Sequence, residues 1–477
     1  MTANHAAKRE ANAKEASLSP PPLKKRKVES TTTKRAVSSF FTPASKKEPE
    51  RITWRIINES LLFASHQPDT ADTRNRPRSK RPKIAAFDLD STLIKTSSGN
   101  VFAKDATDWR WWHFSIPSVL KDLHADGYAI VILTNQGSIS LRNDPKKIKS
   151  DQRSLANFKT KVASVLSHFD FPILLLAATA RDCYRKPRIG AWKELLDNLD
   201  LDEGNGPVLQ SSFFVGDAGG RAARTNAKAD HACSDRDFAS NVGITFHTPE
   251  EYFLHEEPVP FTRSFEPRTI LNCSSSTSTH AMIIGRRNRL DIVLMCGSPG
   301  SGKSTFYWTK LKTLGYERIN QDTLKTRDKC VKVASGMLAE SKSVAIGTLP
   351  ANLRSGNLEG LILEHLDNTN ADEESRAVWV QLAHKFAVPI RCVHFPAPAK
   401  LCQHNDTVRA LSTGTFNPEK RSILPHSAFT GFASRFTEPQ LREGFQDVIK
   451  VEFQVAHRSG NLVLATLRWA NVSFVDP

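Results

Sequence analysis

At 477 residues the chain is too long for one ordinary core and suits two domains plus additional segments. Its hydrophobic content of 39% supports folded domains, and with no apolar run of about 18 residues an ordinary membrane-spanning helix is excluded. The net charge of +16 favours a polyanionic partner; residues 1–50 hold 11 Lys/Arg against 5 Asp/Glu, so +10 of the excess belongs to the remainder.

Residues 1–50 are rich in Ala, Ser, Thr, Pro and Lys without a sustained apolar period, which predicts a disordered tail. Within it, Pro22-Leu23-Lys24-Lys25-Arg26-Lys27-Val28 resembles a nuclear import signal, implying an import receptor as partner and the nucleus as location. Val37-Ser38-Ser39-Phe40-Phe41 resembles the plug of a sliding-clamp-binding peptide, although Lys34 stands where the usual glutamine would be. A short docking element on the protein's own body is the favoured alternative. The seven cysteines are scattered without a C-x-x-C pair, which argues against a structural zinc site and for a reducing compartment.

From about Trp54, buried-strand patterns at Lys83 to Phe87, Ala129 to Leu133, Pro172 to Ala177 and Ser212 to Val215 alternate with helical stretches. This alternation predicts a parallel sheet with helices on both faces over 51–262. The polar run Ser274-Ser275-Ser276-Thr277-Ser278-Thr279 marks a linker over 263–288. A second alternating block, 289–477, opens with the strand pattern Arg289 to Cys296. The expected fold class is α/β, with two doubly wound parallel-sheet domains.

The first predicted strand runs into Phe87-Asp88-Leu89-Asp90-Ser91-Thr92. An Asp-x-Asp at a strand end places both carboxylates on one side, because side chains alternate with period two. Such a pair suits nucleophilic attack by one acid and proton transfer by the other, with Mg2+ neutralising charge. Thr134-Asn135-Gln136 offers a hydroxyl and amides to phosphate oxygens, Lys186 stands in Tyr184-Arg185-Lys186-Pro187, and Asp217 closes Phe213-Phe214-Val215-Gly216-Asp217.

The ordered set resembles the four motifs of the haloacid-dehalogenase phosphatases. That resemblance implies that Asp88 attacks phosphorus and that Asp90 protonates the leaving oxygen and later activates water. It further implies that Thr134, Asn135 and Lys186 hold phosphoryl oxygens, while Asp88, the Asp90 carbonyl and Asp217 hold Mg2+. Residue 218 is Ala, so the last motif offers one acid where some relatives offer two, leaving open whether Asp235 or Asp237 compensates.

The second site is Gly297-Ser298-Pro299-Gly300-Ser301-Gly302-Lys303-Ser304-Thr305, a P-loop pattern behind a predicted strand. Backbone N–H groups of such a loop cradle the phosphates of ATP, Lys303 reaches the terminal phosphates and Ser304 ligates Mg2+. Asp322 is placed to orient and deprotonate an acceptor hydroxyl, and Arg409 to balance charge on the transferring group.

A phosphatase followed by a P-loop kinase, with Asp322-Thr323-Leu324, Asp367-Asn368-Thr369-Asn370 and Gly444-Phe445, resembles the bifunctional polynucleotide kinase 3'-phosphatase family over roughly residues 52–455. The resemblance implies DNA with 3'-phosphate or 5'-hydroxyl ends as substrate, healed for ligation. A forkhead-associated domain of animal relatives is missing, and in the lid Thr407 and Arg409 stand where those relatives carry two arginines. Residues 347–366, 20 in number, separate the strand pattern ending at Ile346 from Asp367, a stretch the family lacks. A looped-out insertion and a retained intron are the two explanations, and the intron is the one expected here. An active phosphatase whose P-loop domain only binds DNA is the alternative reading, and a small phosphorylated metabolite as substrate is a third.

Trp109-Arg110-Trp111-Trp112-His113-Phe114 could stack on a terminal base, but core packing is the favoured expectation. Lys146-Lys147-Ile148-Lys149 is a candidate for backbone contact, a solvated surface run being the alternative.

Overall fold

The computed structural model describes residues 51–68, 83–142, 148–201, 206–223, 228–263, 265–267, 269, 285–320, 324, 326–347, 370–412, 417 and 421–452. The import-like and clamp-like segments, the serine-rich run, Asp322 and Asp367 to Thr369 lie outside these residues.

The first half is built on strands β1 (Ile52–Ile57), β2 (Leu61–His66), β3 (Lys83–Phe87), β4 (Ile94–Lys95), β5 (Arg110–Trp111), β6 (Tyr128–Asn135), β7 (Ile173–Ala178), β8 (Phe213–Val215) and β9 (Thr245–His247). Seven of them form one sheet in the order β1-β2-β7-β6-β3-β8-β9, while β4 and β5 make a separate hairpin. β3 occupies an inner position, parallel to both β6 and β8. Its alternating side chains feed two cores: Ala85 and Phe87 enter one apolar cluster, Ile84 and Ala86 the other. Burial on both faces is what makes the strand read as a continuous apolar run.

The sheet is not wholly parallel. β1 and β2 form an antiparallel hairpin, and β2 runs antiparallel to β7. The expected parallel sheet is the stretch β7-β6-β3-β8-β9, and the antiparallel hairpin is added at its edge. β1 carries the mixed sequence Ile-Thr-Trp-Arg-Ile-Ile at the sheet edge, where one-sided burial gives no apolar run to announce a strand.

The second half uses β10 (Ile292–Gly297), β11 (Glu317–Asn320), β12 (Val344–Gly347), β13 (Ile390–Phe395) and β14 (Val448–Lys450), in the order β11-β12-β10-β13-β14 with every pairing parallel. β10 is central, sending Ile292, Leu294 and Cys296 to one core and Val293 and Met295 to the other. A ligand-binding loop at the carboxyl end of a central strand is where open α/β sheets place their sites.

The chain leaves this sheet at Gly347 and is described again from Asn370. Ile346 pairs with Leu294 in β10, and the Asn370 amide donates to the carbonyl of the next β10 residue, Met295, at 3.0 Å. Departure and return therefore meet the same stretch of β10. The return is fixed further by Arg376, wholly buried, whose guanidinium donates to the carbonyls of Asn370, Ala371 and Thr437 and to both oxygens of Glu443 at 2.7 and 2.8 Å.

Two predictions follow from this anchoring. Arg376→Met leaves the buried Glu443 carboxylate without its partner and takes a donor from three carbonyls, so the second half loses about 3–5 kcal/mol; urea unfolding should show the lower midpoint, and an unchanged one would refute it. Deleting residues 347–366 joins Ile346 to Asp367 while retaining Asn370 and its anchors, so the shortened chain should unfold at an unchanged midpoint. A collapse of the second half on deletion would show that the segment is part of the fold.

Two candidate phosphate sites

β3 ends at Phe87, and the Asp88 N–H donates to the Val215 carbonyl of β8 at 2.8 Å, fixing Asp88 between two strand ends. Both acids of the Asp-x-Asp lie beyond the strand, so the period-two argument for their common side stops one residue short. Tertiary partners separate them instead. Asp88 is buried, whereas the Asp90 side chain is 50% exposed and takes Lys161 on one oxygen at 3.0 Å and the Gln136 amide on the other at 2.7 Å.

Lys186 is the centre of the inner cluster. Its buried ammonium donates to Asp88 Oδ1 at 2.6 Å and to the Leu133 carbonyl at 2.8 Å, and lies 2.9 Å from Asp235 Oδ1. Its backbone is held by Asn135, whose side chain accepts from the Lys186 N–H at 2.9 Å and donates to the Lys186 carbonyl at 3.1 Å. Asn135 thus uses its amide oxygen and one amide hydrogen to position Lys186. Thr134 is buried beside it, its hydroxyl accepting from Gln136, which also holds Asp90.

Asp217 follows β8, and Asp235 comes from the first turn of the helix Ser234–Val242. Asp88, Asp217 and Asp235 each offer a carboxylate oxygen within 4.8 Å of the others. Asp237 turns away to Arg263 at 2.6 Å, because residues two apart on a helix do not share a face. The question left by Ala218 is therefore settled geometrically: Asp235 joins the cluster, and its Oδ2 accepts the Ala218 N–H at 3.2 Å. Close packing enforces this, since a Cβ at Gly216 would lie 2.3 Å from Asp235 Oδ2.

Three carboxylates around one ammonium leave net negative charge in a buried place. Burial pushes Asp88 up to about 7: the pull of Lys186 offsets only part of it, and repulsion from Asp235 and Asp90 adds to the rise. Burial and the neighbouring Asp235 and Asp88 hold Asp217 well above the usual carboxylate range. Burial pulls Lys186 down, but Asp235 and Asp88 more than restore it, so it stays charged. Hard oxygen ligands in negative surplus fit a divalent cation, which would relieve the repulsion.

The P-loop sits at the end of β10. Gly300 and Gly302 take φ of +76° and +102°, and a Cβ at Gly300 would strike the Cys402 carbonyl at 2.1 Å. The helix Ala399–Leu411, expected to serve as lid, therefore rests directly on the loop, and Asn405 donates to the Gly300 carbonyl at 3.1 Å. Lys303 is buried and donates to the carbonyls of Gly297 and Ser298, with burial pushing its ammonium down to about 8. Arg409 is paired with Asp406 one helical turn away, and the Ser304 hydroxyl takes a bond from Arg318 at 3.2 Å.

Family comparisons match each half separately. The model described as polynucleotide kinase 3 phosphatase matches residues 83–253, and one described as AAA domain matches 292–439. A bifunctional polynucleotide phosphatase/kinase of Schizosaccharomyces pombe is 39% identical over 378 residues, covering 79% of this chain and 81% of that one. The chain belongs to the bifunctional polynucleotide phosphatase/kinase family. The first half also resembles single-activity members: a polynucleotide 3'-phosphatase of Arabidopsis thaliana is 34% identical over 44% of this chain and 28% of its own, and one of Saccharomyces cerevisiae is 27% identical over 36% and 87%.

Several residues of this family member escaped sequence reasoning. Lys161 and Arg318 carry no motif and are recruited by the fold alone. Asp235 was in view as one of two acids, and helical spacing shows that only one of them can face Asp217. The aromatic run divides: Trp109, Trp111 and Trp112 pack against the core, while Phe114 is 84% exposed.

Gly216→Ala should displace Asp235 and lower 3'-phosphate release about a hundredfold while sparing 5'-phosphorylation; equal loss of both activities would indicate general misfolding instead. Because Asp88 is pushed up to about 7 and Asp217 is held well above the usual carboxylate range, a divalent cation must displace protons to bind. Mg2+ affinity for this cluster should therefore fall as pH drops below about 7, by about tenfold per pH unit for each proton displaced. Calorimetric Mg2+ titrations of the Lys303→Ala variant at pH 6 and pH 8 check it, and equal affinities would refute it.

Proposed function

We propose that this chain heals DNA ends, removing 3'-phosphates with its first half and phosphorylating 5'-hydroxyls with its second. The observation that carries the reading is the coexistence of a Lys186-centred carboxylate cluster at one sheet end with a P-loop at the other. It is supported by similarity across both halves to a bifunctional relative.

In the phosphatase reaction, an Asp88 oxygen attacks phosphorus as the bond to the 3'-oxygen breaks, and Asp90 gives that oxygen its proton. Asp90 then takes a proton from the water that hydrolyses the aspartyl-phosphate. Its greater exposure suits this exchange, and Gln136 and Lys161 keep it oriented. Lys186 and Thr134 face the phosphoryl oxygens. Asp88, Asp217 and the Asp90 carbonyl, joined here by Asp235, would hold Mg2+, which supplies charge neutralisation against an anionic substrate. In the kinase reaction the P-loop amides and Lys303 would hold ATP phosphates and Ser304 would hold a second Mg2+ to offset their charge, while Asp322 accepts the proton of the 5'-hydroxyl as its oxygen attacks the terminal phosphorus and ADP leaves, and Arg409 exchanges Asp406 for the transferring group. The working domain limits are 51–262 and 289–477. The basic segment 22–28 supports a nuclear location, and the excess positive charge supports sequence-independent DNA contact.

A nicked duplex bearing a 3'-phosphate and a 5'-hydroxyl, with Mg2+ and labelled ATP, tests both halves at once. The full chain should release phosphate and label the 5' end. Asp88→Asn should abolish release but keep labelling, and Lys303→Ala should do the reverse. Release without labelling in the full chain and in one lacking 347–366 would reduce the second half to a DNA-binding module.

A further inference from the structure

The helix that follows the P-loop carries a surface feature unrelated to nucleotide binding. After Lys303–Phe306 it widens into a π-helical stretch, Tyr307–Leu311, a geometry often found at functional sites. Tyr307 and Leu311 turn into the core, and Trp308 turns outward, 46% exposed. Two cations lie close to its ring: Lys312 Nζ is 4.5 Å and the Arg318 guanidinium 5.6 Å from the centroid.

Arg318 stands on β11 and joins this patch to the reaction site. Its guanidinium also lies 5.5 Å from the Tyr307 ring and donates to the Ser304 hydroxyl in the P-loop at 3.2 Å. In sequence it precedes Asp322, the proposed acceptor base, by four residues. Lys310 adds an exposed cation, and Glu317 is the exposed acid that opposes them. A part-exposed indole with cations beside it, linked through Arg318 to a phosphate loop, has the chemistry that binds single-stranded nucleic acid: π surface for a base and neighbouring charges for its phosphates.

We propose that Trp308, Lys312 and Arg318 form a ledge that holds the strand whose 5'-hydroxyl is phosphorylated, with a base near its 5' end stacked on Trp308 and backbone phosphates against Lys312 and Arg318. The assignment rests on the 5'-kinase reading above and adds where the acceptor strand lies. Binding of this kind is sequence-tolerant, because every base presents a π face.

The test uses the full chain and a single-stranded 5'-hydroxyl oligonucleotide with 2-aminopurine near its 5' end. Trp308→Ala should raise KM for the oligonucleotide about tenfold, with KM for ATP and 3'-phosphate release unchanged, and Trp308→Phe should restore most of it. Lys312→Ala should reduce the salt slope of binding by about one. The 2-aminopurine quenching seen with the wild type should be lost in Trp308→Ala and kept in Trp308→Phe. Unchanged KM and quenching in Trp308→Ala would overturn the ledge while leaving the kinase reading intact. Quenching that depends on Trp308 in a protein that transfers no phosphate would preserve the ledge and sink the kinase reading.

Discussion

The Lys186 ammonium is the contact on which the first half depends. It meets Asp88 and Asp235 together in a buried place, and each of the three would be costly there without the others. The elements around it act to keep it in place: Asn135 grips its backbone from the end of β6, the Leu133 carbonyl takes its third hydrogen bond, and Asp235 is brought in by a helix packed against Gly216. The cluster remains short of positive charge even so. That shortage raises the affinity of its acids for protons and, by the same argument, for a divalent cation carrying an anionic substrate.

The second half solves the opposite problem, presenting positive charge and backbone donors to phosphates. Lys303 is buried on the loop's own carbonyls, and burial weakens its hold on its proton. A lid helix lies so close to Gly300 that a side chain there has no room. The P-loop follows β10 and the Asn370 return bonds to it, while the helix Ala399–Leu411 rests on the loop itself. Arg376 then ties that return to Glu443 and Thr437. Ile346 and Asn370 both meet β10, so the residues between them in sequence join two neighbouring points on one strand.

Sequence legibility followed burial. Strands covered on both faces, such as β3, β6 and β10, announced themselves as apolar runs, and the motifs at their ends could be read because backbone geometry dictates them. The edge strand β1 was not legible, since it carries mixed sequence, and β2, though buried on both faces, was passed over with it. Asn135 was read for what its amide could offer a phosphate; only the packed structure shows that it also grips the Lys186 backbone.

By itself the sequence determined which chemistries were present: paired acids after a buried strand, a P-loop after another, and a basic surplus suited to nucleic acid. Those follow from local rules of side-chain chemistry and strand ends. Only the tertiary structure decided that Asp235 and not Asp237 joins the acids, that Asp90 stands apart from Asp88 on Lys161, and that Arg318 bridges Ser304 to Trp308. These contacts join residues distant in sequence, so no local pattern encodes them; they exist because close packing of separate elements leaves each side chain one place to go.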